Sequence, residues 1–427
     1  MSNIRISNNK SNFLKDDKPF FYLADTIWSA FTNVTIQEWA YYLKRRKMQG
    51  FNVLQINTLP QWDRCWSDVG VYPFPTKDGQ QFDFTTFEEE YFQRARKMCE
   101  MAVEQGFQLA LVVLWLNYVP GTWGSRMTDK NIMPKDFVPT YVEKVIEEFD
   151  EYHPIYMVSG DTDFDTQESI EYYKIALDIL CEKSPDSLKT LHIKRGYDLI
   201  PDELLNQIDF YMFQSGHNKT QQDMAYRLPE IFAKKYPKKP MINAEPCYEQ
   251  MGFSREEYGR FEKEDTRKAA WTSILSGACA GVTYGAHGIW NWNKINCPSN
   301  PILGEGFDKP FTWQEAIEFQ GAWDYGYIKY LLHQYRVDYL EPVNHLLGND
   351  TQEIRVAKAK DKYFIYAKHN TSIKILEDLS NYQALAIDLD KKRISDIEIN
   401  CTKKESTIEM HPFYKDVLII LEKRSEN

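Results

Sequence analysis

No apolar run approaches the roughly 18 residues that a membrane-crossing helix needs, so no spanning segment is expected. The opening stretch MSNIRISNNKSNFLKDDKPFF carries no apolar core behind a basic start. A secretory leader is therefore not expected, and a cytoplasmic location is. Basic residues are in deficit: 51 Lys and Arg against 62 Asp and Glu leave a net charge of −11. That balance opposes a nucleic-acid footprint or an anionic membrane surface as partner. The seven cysteines (65, 99, 181, 247, 279, 297, 401) form no CxxC pair and no Cys/His metal spacing. They read as free thiols of a reducing compartment. HExxH is absent, no HxH follows the first candidate strand, and neither a metal nor another cofactor is expected. GxGxxG and GxxxxGK[ST] are missing, which removes the usual phosphate cradles; GxSxG is missing too, which removes the serine elbow.

Aromatic residues are what the chain has in excess: 15% of the sequence, with 27 Tyr and 11 Trp. They fit a large core with half-buried tyrosines, and equally a surface that stacks on the apolar faces of sugar rings. Short apolar runs recur at 19–26, 51–59, 107–116, 154–161, 188–193, 208–216, 239–246 and 281–290. Amphipathic stretches separate them. In TIQEWAYYLKRRKMQG, Ile36, Trp39, Ala40 and Leu43 follow helical spacing and Gly50 stands at the stop; in DTRKAAWTSILSGACAG, Asp265 reads as the N-cap. Apolar runs alternating with helices mean parallel strands covered on both faces, and eight such units mean an α/β fold of the (β/α)8 TIM-barrel type. A doubly wound sheet is the rival, and it lacks its phosphate loop here. Beyond about residue 340 the texture changes to period-2 runs such as EIRVAK, KYFIYAK, ALAIDL and DVLIIL, divided by polar turns. Residues 1–340 are thus expected to form the barrel and 345–427 a small C-terminal antiparallel β-sandwich that braces it.

Barrels of this kind place their chemistry at the C-terminal ends of the strands. Those ends carry Asp25 and Trp28, Asn57, Trp115 and Asn117, Asp161 and Asp163, His192, Gln214 and His217, Glu245, and His287 with Trp290. Carboxylates, amides, imidazoles and indoles dominate, and few of the residues are cationic. That set suits an oligosaccharide or glycan substrate: acids and amides for hydroxyls, indoles for ring faces. Asp161 and Glu245 each terminate an apolar run, on the fourth and seventh strands. Glycoside cleavage needs two such groups, one to protonate the leaving oxygen and one to attack carbon or activate water. Either acid could instead be structural, paired for example with Arg64 or Arg195. Glu249, past Pro246 in MINAEPCYE, is expected to be a structural acid in the following loop. His217 and His287 could orient a carboxylate, read a hydroxyl or be buried structural imidazoles. A carbohydrate-binding barrel without turnover, and a barrel isomerase or lyase using the same acids, fit these residues as well. Nothing in the sequence fixes an oligomeric state.

Taken in order, FFYLADTIWSAF, RRKMQGFNVLQIN, MVSGD, FQSGH, INAEPCYE and YGAHGIWNWN resemble the apiosidase-like barrels of glycoside hydrolase family 140. That group was long catalogued as domain of unknown function 4038, with many members labelled endoglucanases. The resemblance spans roughly residues 15–335, and the C-terminal segment is similar to the small sandwich that follows such barrels. It implies a (β/α)8 hydrolase of plant-type glycans, with apiose-bearing side chains of rhamnogalacturonan II as the best-known substrate class. Asp161 would be the acid/base and Glu245 the nucleophile of a retaining mechanism. Asp25, Trp28, Asn57, Trp115, Gln214, His217, His287 and Trp290 would bind the sugar. The fourth-strand motif reads Ser159-Gly160-Asp161, where the family pattern leads one to expect a double glycine before the aspartate.

Overall fold

A computed structural model describes residues 4–297 and 307–424. Its centre is an eight-stranded parallel sheet. The strands are β1 (Tyr22–Thr26), β2 (Val53–Asn57), β3 (Gln108–Trp115), β4 (Ile155–Gly160), β5 (Lys189–Thr190), β6 (Tyr211–Phe213), β7 (Met241–Asn243) and β8 (Gly281–Tyr284). They are joined in sequence around the ring, with β1 beside β8. Between β5 and β6 the ring is drawn together by single contacts: a bridge of His192 with Met212, and Asp209 N–H donating to the Lys189 carbonyl at 2.8 Å. Every residue of β1, β2, β3 and β4 is buried, as sandwiching between a filled interior and a helical layer requires.

The layer comprises α1 (Ile36–Met48), α2 (Glu89–Glu104), α3 (Val138–Phe149), α4 (Gln167–Lys183), α5 (Asp202–Leu205), α6 (Met224–Lys235), α7 (Lys263–Ile274) and α8 (Gly321–Gln334). Their ends obey local chemistry. Thr35 and Glu38 form a reciprocal capping box on α1, while Arg45, Arg46 and Lys47 offset the dipole in its last turn. Gly50 then takes φ +94, a left-handed turn that feeds the chain into β2, and its bare Cα sits against Gly326 of α8. Asp265 is not the N-cap of α7. Glu262 holds that place, and Asp265 reaches back to it as the third residue of a capping box.

Several strands end earlier than their apolar runs. β4 stops at Gly160 because Asp161 adopts a left-handed φ of +50, outside any β ladder. β7 stops at Asn243, ahead of Pro246, which has no N–H for pairing. β8 ends at Tyr284, with an isolated bridge at Ala286 before the turn that starts at His287, and residues 192 and 193 keep only isolated bridges. The carboxylates at these ends therefore stand on the first loop residues, just clear of the sheet.

The C-terminal part contains two antiparallel sheets. Strands β9 (Glu341–Pro342), β10 (Arg355–Ala359), β11 (Lys362–Ala367), β12 (Ile373–Ile375), β13 (Tyr382–Asp388), β14 (Ile394–Ile397), β15 (Ile399–Cys401), β16 (Ser406–Ile408) and β17 (Val417–Lys423) succeed one another. The larger sheet runs β9-β10-β11-β17-β13-β14 and the smaller β12-β16-β15. Alternation sorts the larger sheet's side chains into two cores. Tyr363, Ile365, Ile419 and Leu421 meet Ile373, Ile375 and Ile408 of the smaller sheet. Phe364, Tyr366, Leu418 and Ile420 join the apolar core of the barrel.

A buried ionic cluster pins this second contact. Arg267 of α7 donates from Nε to Asp416 at 2.7 Å and from Nη1 to Asp324 at 2.6 Å, with Tyr366 donating to Asp416 at 3.2 Å. Arg267 and both acids are almost fully buried. Removing one partner from such a cluster strands charge away from water, at a cost of about 3 kcal/mol or more. Asp416→Ala should accordingly lower the unfolding free energy by about that amount in urea denaturation. A loss below about 1 kcal/mol would show that the cluster does not fasten the sandwich to the barrel.

Candidate active site

Residues of the loops after β2 and β3, with Trp290 and Phe307 from beyond β8, border a cleft of about 250 Å³ at the C-terminal end of the barrel. Asp161, from the loop after β4, and Glu245, from the loop after β7, both line it. Their settings are opposite.

Glu245 lies between two imidazoles. His217 Nε2 is 3.0 Å from its Oε1, and His192 Nε2 is 3.3 Å from its Oε2. Both rings are oriented by backbone amides: Asp161 N–H donates to His192 Nδ1 at 2.9 Å, and Tyr248 N–H donates to His217 Nδ1 at 3.3 Å. A nitrogen that accepts an N–H carries no proton, so each ring's proton sits on Nε2, facing the carboxylate. Burial alone would raise the pKa of Glu245; its interactions with the imidazoles of His192 and His217 outweigh it and hold the group below the ordinary carboxylate range.

Asp161 has no such support. Burial, followed by the charge of Glu245, pushes its pKa well above the usual value, against weaker pulls from Arg195 and a hydrogen bond with Gln214. Its left-handed backbone is held on both sides, the N–H by His192 and the carbonyl by Trp123 Nε1 at 2.7 Å. His192 thus joins the two acids: one nitrogen fixes the backbone of Asp161 and the other faces Glu245. The two carboxyls are pushed in opposite directions, Glu245 toward its ionised form and Asp161 toward its protonated form.

Trp28, Trp115 and Trp290 also line the cleft, together with Gln214 and His217. The three indoles are only 2%, 4% and 3% exposed, so they form walls and offer edges more than open platforms. Gly160 makes room for one of them, since a Cβ there would collide with the Trp115 ring. Trp115 packs 5.2 Å from Trp28 and stacks on His192 at 6.3 Å.

Three expected sugar-binding residues do not reach the cleft. Asp25 points into the layer between strand and helix, fully buried, with Arg46 Nε at 2.6 Å and Tyr42 OH at 2.6 Å. Its place in the pleat turns it toward α1, so the interaction is a structural ion pair. Asn57 is buried at the end of β2 and lies outside the cleft wall. His287 is fully buried behind Trp290, its Nε2 on the Asp308 carbonyl at 2.6 Å and its Nδ1 accepting from Trp290 Nε1 at 3.1 Å. Burial pushes its pKa down to about 3. It orients the indole and has no nitrogen left for a sugar. Glu249 likewise faces away, held by Tyr284 OH at 2.6 Å and by the Gly321 N–H of α8 at 2.8 Å.

Other residues of the wall carried no sequence signal of their own. Tyr248 accepts from Trp28 Nε1 at 3.2 Å and stands against Glu245; Met251 and Phe307 lie nearby. Gln61 and Asp63 come from the loop after β2, Trp123 from the loop after β3, and Lys194 and Arg195 from beyond β5. Lys194 is 3.1 Å from Asp163, as is Arg126, so Asp163 ties three loops together and does not face substrate space. Arg64 turns away from both acids, donating to the Gln61 carbonyl at 2.6 Å. Trp123 and Tyr248 could have been suspected only from the aromatic excess. Among the described residues no group of three or more His, Cys, Asp or Glu is arranged to hold a metal ion.

No curated protein matches the chain in sequence. Among solved structures, a crystal structure of a family 5 glycoside hydrolase from Bacteroides vulgatus superposes with a TM-score of 0.84 at 20% identity. It covers 100% of this chain and 94% of its own. Another, described as a glycoside hydrolase, gives a TM-score of 0.81 at 20% identity, over 100% of this chain and 98% of its own. At that identity the likeness is one of fold, extending through the C-terminal sheets. The family described as "Apiosidase-like, catalytic domain" matches residues 7–338, the segment that holds every residue of the cleft. With that match spanning the barrel and its paired carboxyls, the chain belongs to the apiosidase-like family of glycoside hydrolases.

Proposed function

We propose that this glycoside hydrolase cleaves plant-type oligo- or polysaccharides with retention of anomeric configuration, using Glu245 as nucleophile and Asp161 as acid/base. The observation that carries the two-carboxyl part of this reading is their unlike settings in one cleft, Glu245 against two imidazoles and Asp161 without them. In the first step a Glu245 oxygen bonds to the anomeric carbon as the bond to the leaving oxygen breaks, and the proton of Asp161 passes to that oxygen. In the second, water attacks the same carbon, its proton returns to Asp161, and Glu245 departs as carboxylate. His217 donates to Glu245 and His192 stands beside it while it is charged, and both weaken their hold as it becomes an ester. The family's description points to apiose as a sugar to try first.

Glu245→Gln keeps shape but removes the attacking charge, so turnover should fall by about three orders of magnitude or more, about 4 kcal/mol of barrier. Glu249→Gln should cost far less. Azide should restore turnover to Glu245→Ala and give a product of inverted configuration. Activity surviving in Glu245→Gln while Glu249→Gln is dead would reverse the assignment, and binding without product release in the wild type would indicate a barrel that only holds sugars.

The pH dependence has a defined sign. Reaction needs Glu245 ionised and Asp161 protonated. The acid limb of kcat/KM should therefore lie below the ordinary carboxylate range and the alkaline limb above it. Asp161→Asn should abolish the alkaline limb and lower rates most for substrates with poor leaving groups. Both limbs falling within the ordinary carboxylate range would contradict these settings.

Since the proposed steps run through carboxyls, exhaustive chelation should leave turnover unchanged. Loss on chelation with recovery on adding a divalent ion would require a different mechanism.

A further inference from the structure

A third carboxyl faces the same space. Asp63, on the loop after β2, lines the cleft with Asp161 and Glu245. Its Oδ1 is buried with no hydrogen-bond partner among the described residues. Its neighbour Arg64 does not pair with it: that guanidinium donates to the carbonyls of Gln61 at 2.6 Å and Gly79 at 2.5 Å and lies over the Tyr72 ring. Lys194 and Arg126 are taken by Asp163. The Cys65 thiol is close enough to feel the Asp63 charge, Glu245 faces it from the loop after β7, and Asp161 lies close enough for their charges to interact. Burial, then the charge of Glu245, raises Asp63 to about 7, against a hydrogen bond from its own backbone N–H and the charge of Arg64. Beside it, Gln61 accepts from Ser29 Oγ at 2.9 Å, so what that amide offers a ligand is N–H.

An acid desolvated in a cleft with no salt-bridge partner among the described residues needs ligand atoms that can both donate to it and accept from it. Sugar hydroxyls do both. We propose that Asp63 is a specificity-determining residue of the cleft, binding one or two hydroxyls of the sugar ring whose anomeric carbon lies between Asp161 and Glu245. The inference rests on the glycosidase reading above and adds to it the wall from which the ring is read. A sugar lacking a hydroxyl at that position leaves the carboxyl desolvated and unpaired, and so is rejected.

Two measurements on the full chain test this. In protein labelled with carboxyl-13C aspartate, the Asp63 signal, assigned by its absence in Asp63→Asn, should titrate near 7. It should move acidward by about one pH unit in Glu245→Gln, where the facing charge is gone. A midpoint in the ordinary aspartate range, unmoved by Glu245→Gln, overturns the proposal. The second measurement uses 4-nitrophenyl glycosides that the wild type cleaves and Glu245→Gln does not, each compared with its monodeoxy counterparts. Asp63→Asn should lower kcat/KM about 100-fold on the full sugar. One monodeoxy sugar should lose a similar factor with the wild type and almost nothing more with Asp63→Asn. Equal deoxy penalties in both enzymes overturn the proposal. If the wild type cleaves none of these glycosides, the glycosidase reading has failed on its own. Millimolar neutral pentoses and hexoses must then still shift the Asp63 signal, and silence towards all of them overturns the Asp63 assignment separately.

Discussion

The site depends on one arrangement: a buried carboxylate, Glu245, between two imidazoles whose proton positions are set by backbone amides. An unpaired carboxylate so far from water would simply take up a proton. The hydrogen bond with His217 and the Nε2 edge of His192 at 3.3 Å oppose that, and the ionised state becomes a property of the fold. The rest follows from the charge they preserve. Together with burial, the larger cause in both cases, it raises Asp161 across the cleft and Asp63 beside it. The barrel's part is geometric, bringing ends of β4, β5, β6 and β7 close enough for His192 and His217 to reach one side chain.

Much of this was legible in the sequence, for a physical reason. Strands buried on both faces must be apolar along their length, so eight apolar runs among helical stretches announced a parallel barrel. An acid closing such a run had to be paired or functional. Asp161 and Glu245 were readable as residues of the barrel mouth on that ground, and the left-handed turn at Asp161 and Pro246 after Glu245 explain why each stands clear of its strand. The C-terminal sheets were readable from their period of two, and the same alternation divides their side chains between two cores.

What could not be read was direction. Asp25 resembles Asp161 in one dimension, an acid at the end of an apolar run. Its position in the pleat points it outward to Arg46, and no local pattern says which arginine lies beyond the strand. His287 sits among glycines and tryptophans as a sugar ligand would, yet both its nitrogens are engaged by Asp308 and Trp290. Asp63, Trp123 and Tyr248 reach the cleft along long loops whose course depends on contacts far apart in sequence, such as Asp163 with Lys194 and Arg126. The role of His192 as the link between the acids rests on a single amide bond to its Nδ1, which only coordinates reveal.

The central claim is a distribution of protons. Neutron diffraction from a deuterated crystal near pH 6 would read it directly. The account predicts a deuteron on the carboxyl of Asp161, none on Glu245, and a deuteron on Nε2 but not Nδ1 of both His192 and His217. A deuteron on Glu245 with Asp161 bare, or one on the Nδ1 of either ring, would contradict it.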